Sequence, residues 1–124
     1  MPGVLLQAKA VAVALGSPLI ARLPPRRLER VLQLGNDGGE PDPAAPAAAE
    51  RALDVTARLI RHTCYTRGIT RYLLLRGGRT GLSLVFGVDA ASREGHCWLV
   101  LDGRPYLENE NPEARFVPVW HVDA

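Results

Sequence analysis

Apolar positions in the first third of the chain recur at helical spacing. Gly3 to Leu15 is rich in Ala, Leu and Val and predicts a helix closed by Ser17-Pro18. Pro24-Pro25 opens a second helix over Arg26 to Leu34. In it Leu28, Val31, Leu32 and Leu34 stand against Arg26, Arg27, Glu29 and Arg30, and Gly35 ends it. Residues 36–49, NDGGEPDPAAPAAA, hold three Pro, two Gly and three acids with almost no bulky apolar side chain, which predicts a flexible loop or linker. Structure is expected to resume at Glu50, where Leu53, Ala57 and Ile60 fall at helical spacing with Arg51, Arg58 and Arg61 outside. His62-Thr63 interrupts. A further helix is predicted from Cys64 to Arg76, stopped by Gly77-Gly78, with Tyr65, Ile69, Tyr72 and Leu73 as its buried stripe.

From Leu82 onward the period changes to two. Leu82, Leu84, Phe86 and Val88 alternate with Ser83, Val85 and Gly87, and further strands are expected at His96 to Leu101, Arg104 to Glu108 and Arg115 to Val122. Helices followed by an antiparallel sheet describe an α+β domain. The 124 residues suffice for one such domain with one core.

Composition narrows the function classes. A net charge of +2, from 15 basic and 13 acidic residues, is too small to point to nucleic acid. Two cysteines cannot staple a secreted scaffold, so a reducing, cytoplasmic setting is expected. Val4 to Ile20 is apolar but carries Lys9, follows no basic residue, and is broken at Gly16-Ser17-Pro18. It reads as a core-forming or partner-facing helix rather than a secretory signal or a membrane span.

The informative pair is Cys64 and His96. Thr63 is a suitable N-cap, and a thiol in a helix's first turn feels the positive end of the helix dipole, which favours thiolate. Six arginines, Arg58, Arg61, Arg67, Arg71, Arg76 and Arg79, lie between Asp54 and Asp89 with no acid among them and push the same way. By itself Cys64 reads more readily as a small buried hydrophobe. His96 changes that, because an imidazole opening a buried strand behind Gly95 is placed to reach a cleft and shuttle the thiol proton. Cys97 faces the other side of that strand and reads as core.

Two acids compete to orient the imidazole. Asp102 lies at the far end of the strand, about 20 Å from His96 at roughly 3.3 Å per residue. Leu101-Asp102-Gly103 suits a three-residue hairpin loop that pairs Val100 with Arg104, Trp98 with Tyr106, and His96 with Glu108. Glu108 is therefore the expected partner. A two-residue turn would shift the register and place Asn109 there instead. No short paired Cys or His spacing suggests zinc, no phosphate-binding glycine motif is present, and no cofactor is expected.

Cys64-Tyr65-Thr66-Arg67-Gly68 with its Leu-rich helix, then Phe86-Gly87-Val88, Gly95-His96-Cys97-Trp98-Leu99-Val100, Asp102-Gly103 and Leu107-Glu108, resembles a known pattern. It is similar to the lasso-peptide B2 proteins, the transglutaminase-like leader peptidases of lasso-peptide biosynthesis, over about residues 20 to 122. The resemblance implies a papain-like cysteine peptidase fold: a helical segment over 1–35, the loop over 36–49, and a catalytic core over 50–124, all in a single domain. It implies that Cys64 is the nucleophile, His96 the base and then acid, and Glu108 the orienting residue in removing the leader from a ribosomally made precursor peptide. Cys97 stands where the family usually has Ala, and Glu108 where Asp is an alternative. Stand-alone proteins of this kind act with a small leader-recognition (B1-type) protein in trans and ahead of a macrolactam cyclase. The competing expectation is a non-catalytic peptide-binding member of the same fold, and acyl transfer to an amine would use the same residues.

Overall fold

The computed structural model describes residues 2–34, 41–77, 79, 81–108 and 110–124. Helices α1 (Pro2–Ala21), α2 (Pro25–Gln33), α3 (Ala45–Thr56) and α4 (Cys64–Leu75) precede strands β1 (Leu82–Val88), β2 (Gly95–Leu101), β3 (Arg104–Tyr106) and β4 (Val117–Asp123). The strands form an antiparallel sheet in the order β3-β2-β1-β4. Helix α4 lies on β1 and β2, and α1 and α3 pack against α4. Leu82, Leu84, Leu99 and Val122 of the sheet meet Ile69, Tyr72 and Leu75 of α4 in the core. The expected α+β arrangement is what the chain adopts.

Three helix boundaries differ from those read in the sequence, each for a local reason. Helix α1 runs through Pro18 to Ala21 instead of closing at Ser17-Pro18. Pro18 cannot donate to the carbonyl of Ala14, and the Ser17 hydroxyl takes that carbonyl instead at 2.7 Å, fully buried. The continued helix, Gly3–Ala21, is long and apolar enough to cross a membrane by length and composition, so the proline does not truncate it as expected. Helix α3 starts at Ala45, inside the stretch expected to be a loop, of which residues 36–40 lie outside the described residues. Ala45, Ala48, Ala49 and Ala52 make a buried small-residue face, and Pro46 sits in the first turn where its missing N–H costs nothing. Asp42 Oδ1 accepts the Ala44 N–H at 2.8 Å just ahead of it. The same helix stops at Thr56 rather than reaching Ile60, and the N–H groups of Leu59 and Ile60 turn back onto the Thr56 carbonyl.

The hairpin also differs. Asp102 and Gly103 both have positive φ, 51° and 82°, which is the signature of a two-residue turn whose twist matches the flanking strands. Leu101 therefore pairs with Arg104, Val100 with Pro105, and Leu99 with Tyr106. Strand β3 ends at Tyr106, short of Glu108, because Leu107 takes a left-handed φ of 60°. Strand β4 begins at Val117. Arg115 and Phe116, expected within it, follow a 3₁₀ turn at Pro112–Ala114 capped by the Asn111 side chain.

Helix α4 and strand β2 approach closely at Gly68. A Cβ there would lie 2.8 Å from the Cys97 sulfur and 3.2 Å from Leu84 Cδ1. Overpacking of this kind costs about 1–3 kcal/mol, against a gain of about 1 kcal/mol from replacing a helical glycine by alanine. Gly68→Ala is thus expected to destabilise the wild-type chain but to be neutral or stabilising once Cys97→Ala has made room. A urea-denaturation double-mutant cycle measures the coupling. Equal effects in the two backgrounds would mean that this contact does not set the helix–sheet spacing.

Candidate active site

The start of α4 is fixed by a reciprocal cap. The Thr63 hydroxyl accepts the Thr66 N–H at 3.3 Å while the Thr66 hydroxyl accepts the Thr63 N–H at 2.8 Å. Behind the cap stands His62. Its Nε2 lies 2.7 Å from the Thr56 hydroxyl and its Nδ1 3.0 Å from that of Thr66. The Thr56 hydroxyl donates to the Ala52 carbonyl at 2.7 Å, which leaves it an acceptor for Nε2–H, and the Thr66 hydroxyl proton is shared between the Thr63 carbonyl at 3.2 Å and Nδ1. Burial and the nearby Arg67 guanidinium lower the His62 pKa, which favours this neutral form. His62 thus ties the end of α3 to the first turn of α4 and fixes where Cys64 sits. The Cys64 thiol is half-buried.

His96 opens β2 on the same face as Trp98, and its ring stacks at 5.8 Å from Trp98 and 4.8 Å from Phe116. A Cβ at Gly87 would come within 2.5 Å of the Trp98 ring, so glycine on β1 is what admits the indole. Phe116 is in turn covered by the Arg115 guanidinium, 5.0 Å from its centroid. Arg115 bonds Asp89 at 2.8 Å and Glu94 at 2.7 Å, tying the β1–β2 loop to the entry of β4. That bond, helped by the Ala91 N–H, holds the Asp89 carboxyl down at about 2.

Cys97, the next residue, is 3% exposed and faces Gly68 and Leu84, as expected of a core position. Its thiol is pushed well up by burial, with smaller contributions from the charges of Cys64 and Glu108, and so stays protonated.

Glu108 reaches the site by a route other than the one expected. The two-residue turn removes the direct His96–Glu108 pairing, and Asn109, the alternative in that register, lies outside the described residues. The left-handed Leu107 ends the strand and turns the chain, and Glu108 becomes part of the cavity wall. Burial raises its carboxyl pKa, opposed by the nearby His96 and Arg71 charges, so the carboxylate lies within electrostatic reach of the imidazole. Asp102, at the far end of β2, is exposed in the turn.

Cys64, His96 and Glu108 line one cavity of about 700 Å³. Among the described residues no hydrogen bond joins these three side chains; they share the cavity, not a closed relay. Arg67, Arg71 and Arg115 face Glu94, Glu108 and Glu110 around it, so the charge is balanced rather than uniformly positive. The arginine field expected from the sequence is reduced because two members serve the fold. Arg71 grips Glu50 of α3 through two bonds of 2.6 and 3.1 Å, and Arg76 donates to the Leu32 and Leu34 carbonyls at the end of α2. Among the described residues no group of three or more His, Cys, Asp or Glu is placed to hold a metal ion.

Sequence reasoning singled out Cys64, His96 and Glu108, which line the cavity, but not two residues that pack around them. His62 has a legible signal, since it is bracketed by Thr56, Thr63 and Thr66 and the Thr63-x-x-Thr66 spacing is a capping pattern. Phe116 has none, because its stacking on His96 depends on the 3₁₀ turn that precedes it.

A half-buried thiol at a capped helix start, sharing one cavity with an imidazole that opens a strand, is an arrangement suited to nucleophilic acyl chemistry. No curated protein and no solved structure matches the chain. The family model described as Transglutaminase-like superfamily matches residues 10–121, a span that runs from within α1 to within β4 and takes in every residue lining the cavity. The chain therefore belongs to the transglutaminase-like superfamily of papain-like cysteine enzymes.

Proposed function

We propose that this protein is a cysteine peptidase that removes the leader from a ribosomally made precursor peptide in lasso-peptide maturation. The observation that carries the reading is the meeting of Cys64, His96 and Glu108 on the walls of one cavity at the start of α4. His96 takes the Cys64 proton, and the thiolate attacks the scissile carbonyl to give a tetrahedral intermediate. That intermediate collapses to a thioester as His96 returns the proton to the departing amine. Water, activated by His96, then releases the leader. The N–H of Cys64 has no partner within the helix, since the cap satisfies Thr63 and Thr66, and it is the natural donor to the oxyanion. Glu108 orients the imidazole. No metal or cofactor takes part.

The partners in this reading are the precursor peptide, a small leader-recognition protein of the B1 type supplied in trans, and the macrolactam cyclase that follows, all in the cytoplasm. The docking surface for the leader-recognition protein is α1, where Val4, Leu5 and Leu19 are 74%, 78% and 70% exposed. The test is mass spectrometry of the precursor incubated with this chain and the leader-recognition protein. A single cut between leader and core, lost when Leu5→Glu and Leu19→Glu are combined, is the expected result. Binding of the precursor without any cut would favour a peptide-binding scaffold. A leader conjugated to an added amine would favour acyl transfer.

A further inference from the structure

Tyr65 was expected in the buried stripe of α4 but is 36% exposed, directly beside Cys64. Its ring lies 6.2 Å from Phe86 at an interplanar angle of 19°, and Phe86 lies 4.7 Å from Trp120, its cross-strand partner on β4. Phe86 and Trp120 are half-buried, so the three rings make a partly open shelf running from the first turn of α4 to the far strand of the sheet. Val88, next along the same face of β1, is 37% exposed and extends it.

Two backbone features hold the shelf where it is. A Cβ at Gly95 would come within 2.0 Å of the Tyr65 hydroxyl, so the glycine that precedes His96 is what lets the ring lie there. The β1–β4 pairing shifts by one residue between Phe86 and Gly87, a bulge of the kind that re-aims side chains beside active sites. The three rings do not line the cavity themselves; the shelf adjoins it, because Tyr65 follows Cys64 and its hydroxyl lies against Gly95, and both of those residues line the cavity. His62 and Thr63 also line the cavity, but their polar atoms are taken up in the hydrogen-bond network of the cap.

We infer that Tyr65, Phe86 and Trp120 form the subsite that receives an apolar, preferentially aromatic, side chain of the substrate peptide next to the bond attacked by Cys64. This rests on the reading of Cys64 as the nucleophile. The rings offer flat, weakly hydrated faces at low entropic cost, and stacking on them adds to the gain from burying apolar area. The charged side chains around the cavity position the peptide's polar groups, and the shelf sets which residue is accepted.

The subsite is tested without any peptide substrate. Iodoacetamide and N-benzyl-iodoacetamide both alkylate Cys64, and dividing each rate by that of the same reagent with N-acetylcysteine removes intrinsic reactivity. A Cys97→Ala background leaves one thiol. The corrected ratio is expected to favour the benzyl reagent about tenfold. It should fall towards one in Tyr65→Ala and in Trp120→Leu, and be kept in Tyr65→Phe, which retains the ring without the hydroxyl. Two variants on different elements guard against one that fails to fold, and each is checked by its melting temperature.

A ratio near one in the wild-type chain, a ratio unmoved by both ring-removing variants, or a Cys64 inert to both reagents overturns the subsite. A tenfold preference in a protein that cuts no precursor peptide would keep the subsite and remove the peptidase reading. Precursor cleavage with a flat ratio would do the reverse.

Discussion

Replacing Cys64 by alanine is expected to lower precursor cleavage by about 10⁴-fold or more while leaving the fold and peptide binding intact. In this reading Cys64 supplies the sulfur of the thioester, since Cys97, which also lines the cavity, is 3% exposed and its thiol is held protonated. The first turn of α4 does not depend on the Cys64 side chain, because its cap is made by Thr63 and Thr66 and supported by His62. Alanine is also the best helix former for a first-turn position. Circular dichroism and thermal melting should therefore match the wild type, with cleavage followed by mass spectrometry. Cleavage that persists would remove Cys64 from the chemistry, and a variant that fails to fold would show that the thiol serves packing instead.

Glu108→Gln is expected to divide stability from function. Burial holds the Glu108 carboxyl above its usual range, with His96 and Arg71 only partly offsetting it. An acid whose pKa is raised on folding holds its proton more tightly in the folded state. Ionising it as pH rises through the folded value therefore costs stability. At neutral pH the ionised carboxylate works against the fold, and an isosteric amide removes that cost. The variant should melt at or above the wild-type temperature at pH 7, and the difference should shrink as pH falls below the ordinary glutamate value of about 4.3. Cleavage should drop by about 10²–10⁴-fold, since an amide can still orient the imidazole but cannot stabilise its positive form. A Gln variant that cuts at the wild-type rate, or one clearly less stable at pH 7, would contradict this role.

Much of the architecture was legible because its signals are local. The switch from a 3.6 to a 2.0 period at Leu82, the proline opening α2 and the Thr63 cap opening α4 each act over a few residues. The errors arose where one local signal hid another. Pro18 is a helix breaker unless the preceding serine bonds the carbonyl it abandons, and Ser17 does so. The alanines of 45–49 read as low-complexity linker because alanine carries little hydropathy, although their 45, 48, 49, 52 spacing is the face that packs. Tyr65 sits at a buried-stripe position but stays partly exposed with its ring over Phe86 and its hydroxyl against Gly95, which only the tertiary arrangement decides.

The site residues show the same division. Cys64 and His96 are placed by the elements that begin at or beside them, and both could be read from the chain. Glu108 was named through a hairpin register that the protein does not use. It reaches the cavity because a single left-handed residue, Leu107, breaks β3 one step earlier. Asp102-Gly103 satisfies either turn length on paper, and the positive φ at both positions settles it in favour of the shorter.

The stack on His96 has an optical consequence. Trp98 is 1% exposed, so solvent does not quench its indole, and the His96 imidazole stacks on it with the ring centroids 5.8 Å apart. An imidazolium accepts an electron from an excited indole, whereas neutral imidazole does not. With the only other tryptophan changed by Trp120→Phe, emission intensity reports on the imidazole stacked against Trp98. The protein thereby carries an internal fluorescent reporter of the imidazole proposed as its proton carrier, readable in real time and without any substrate.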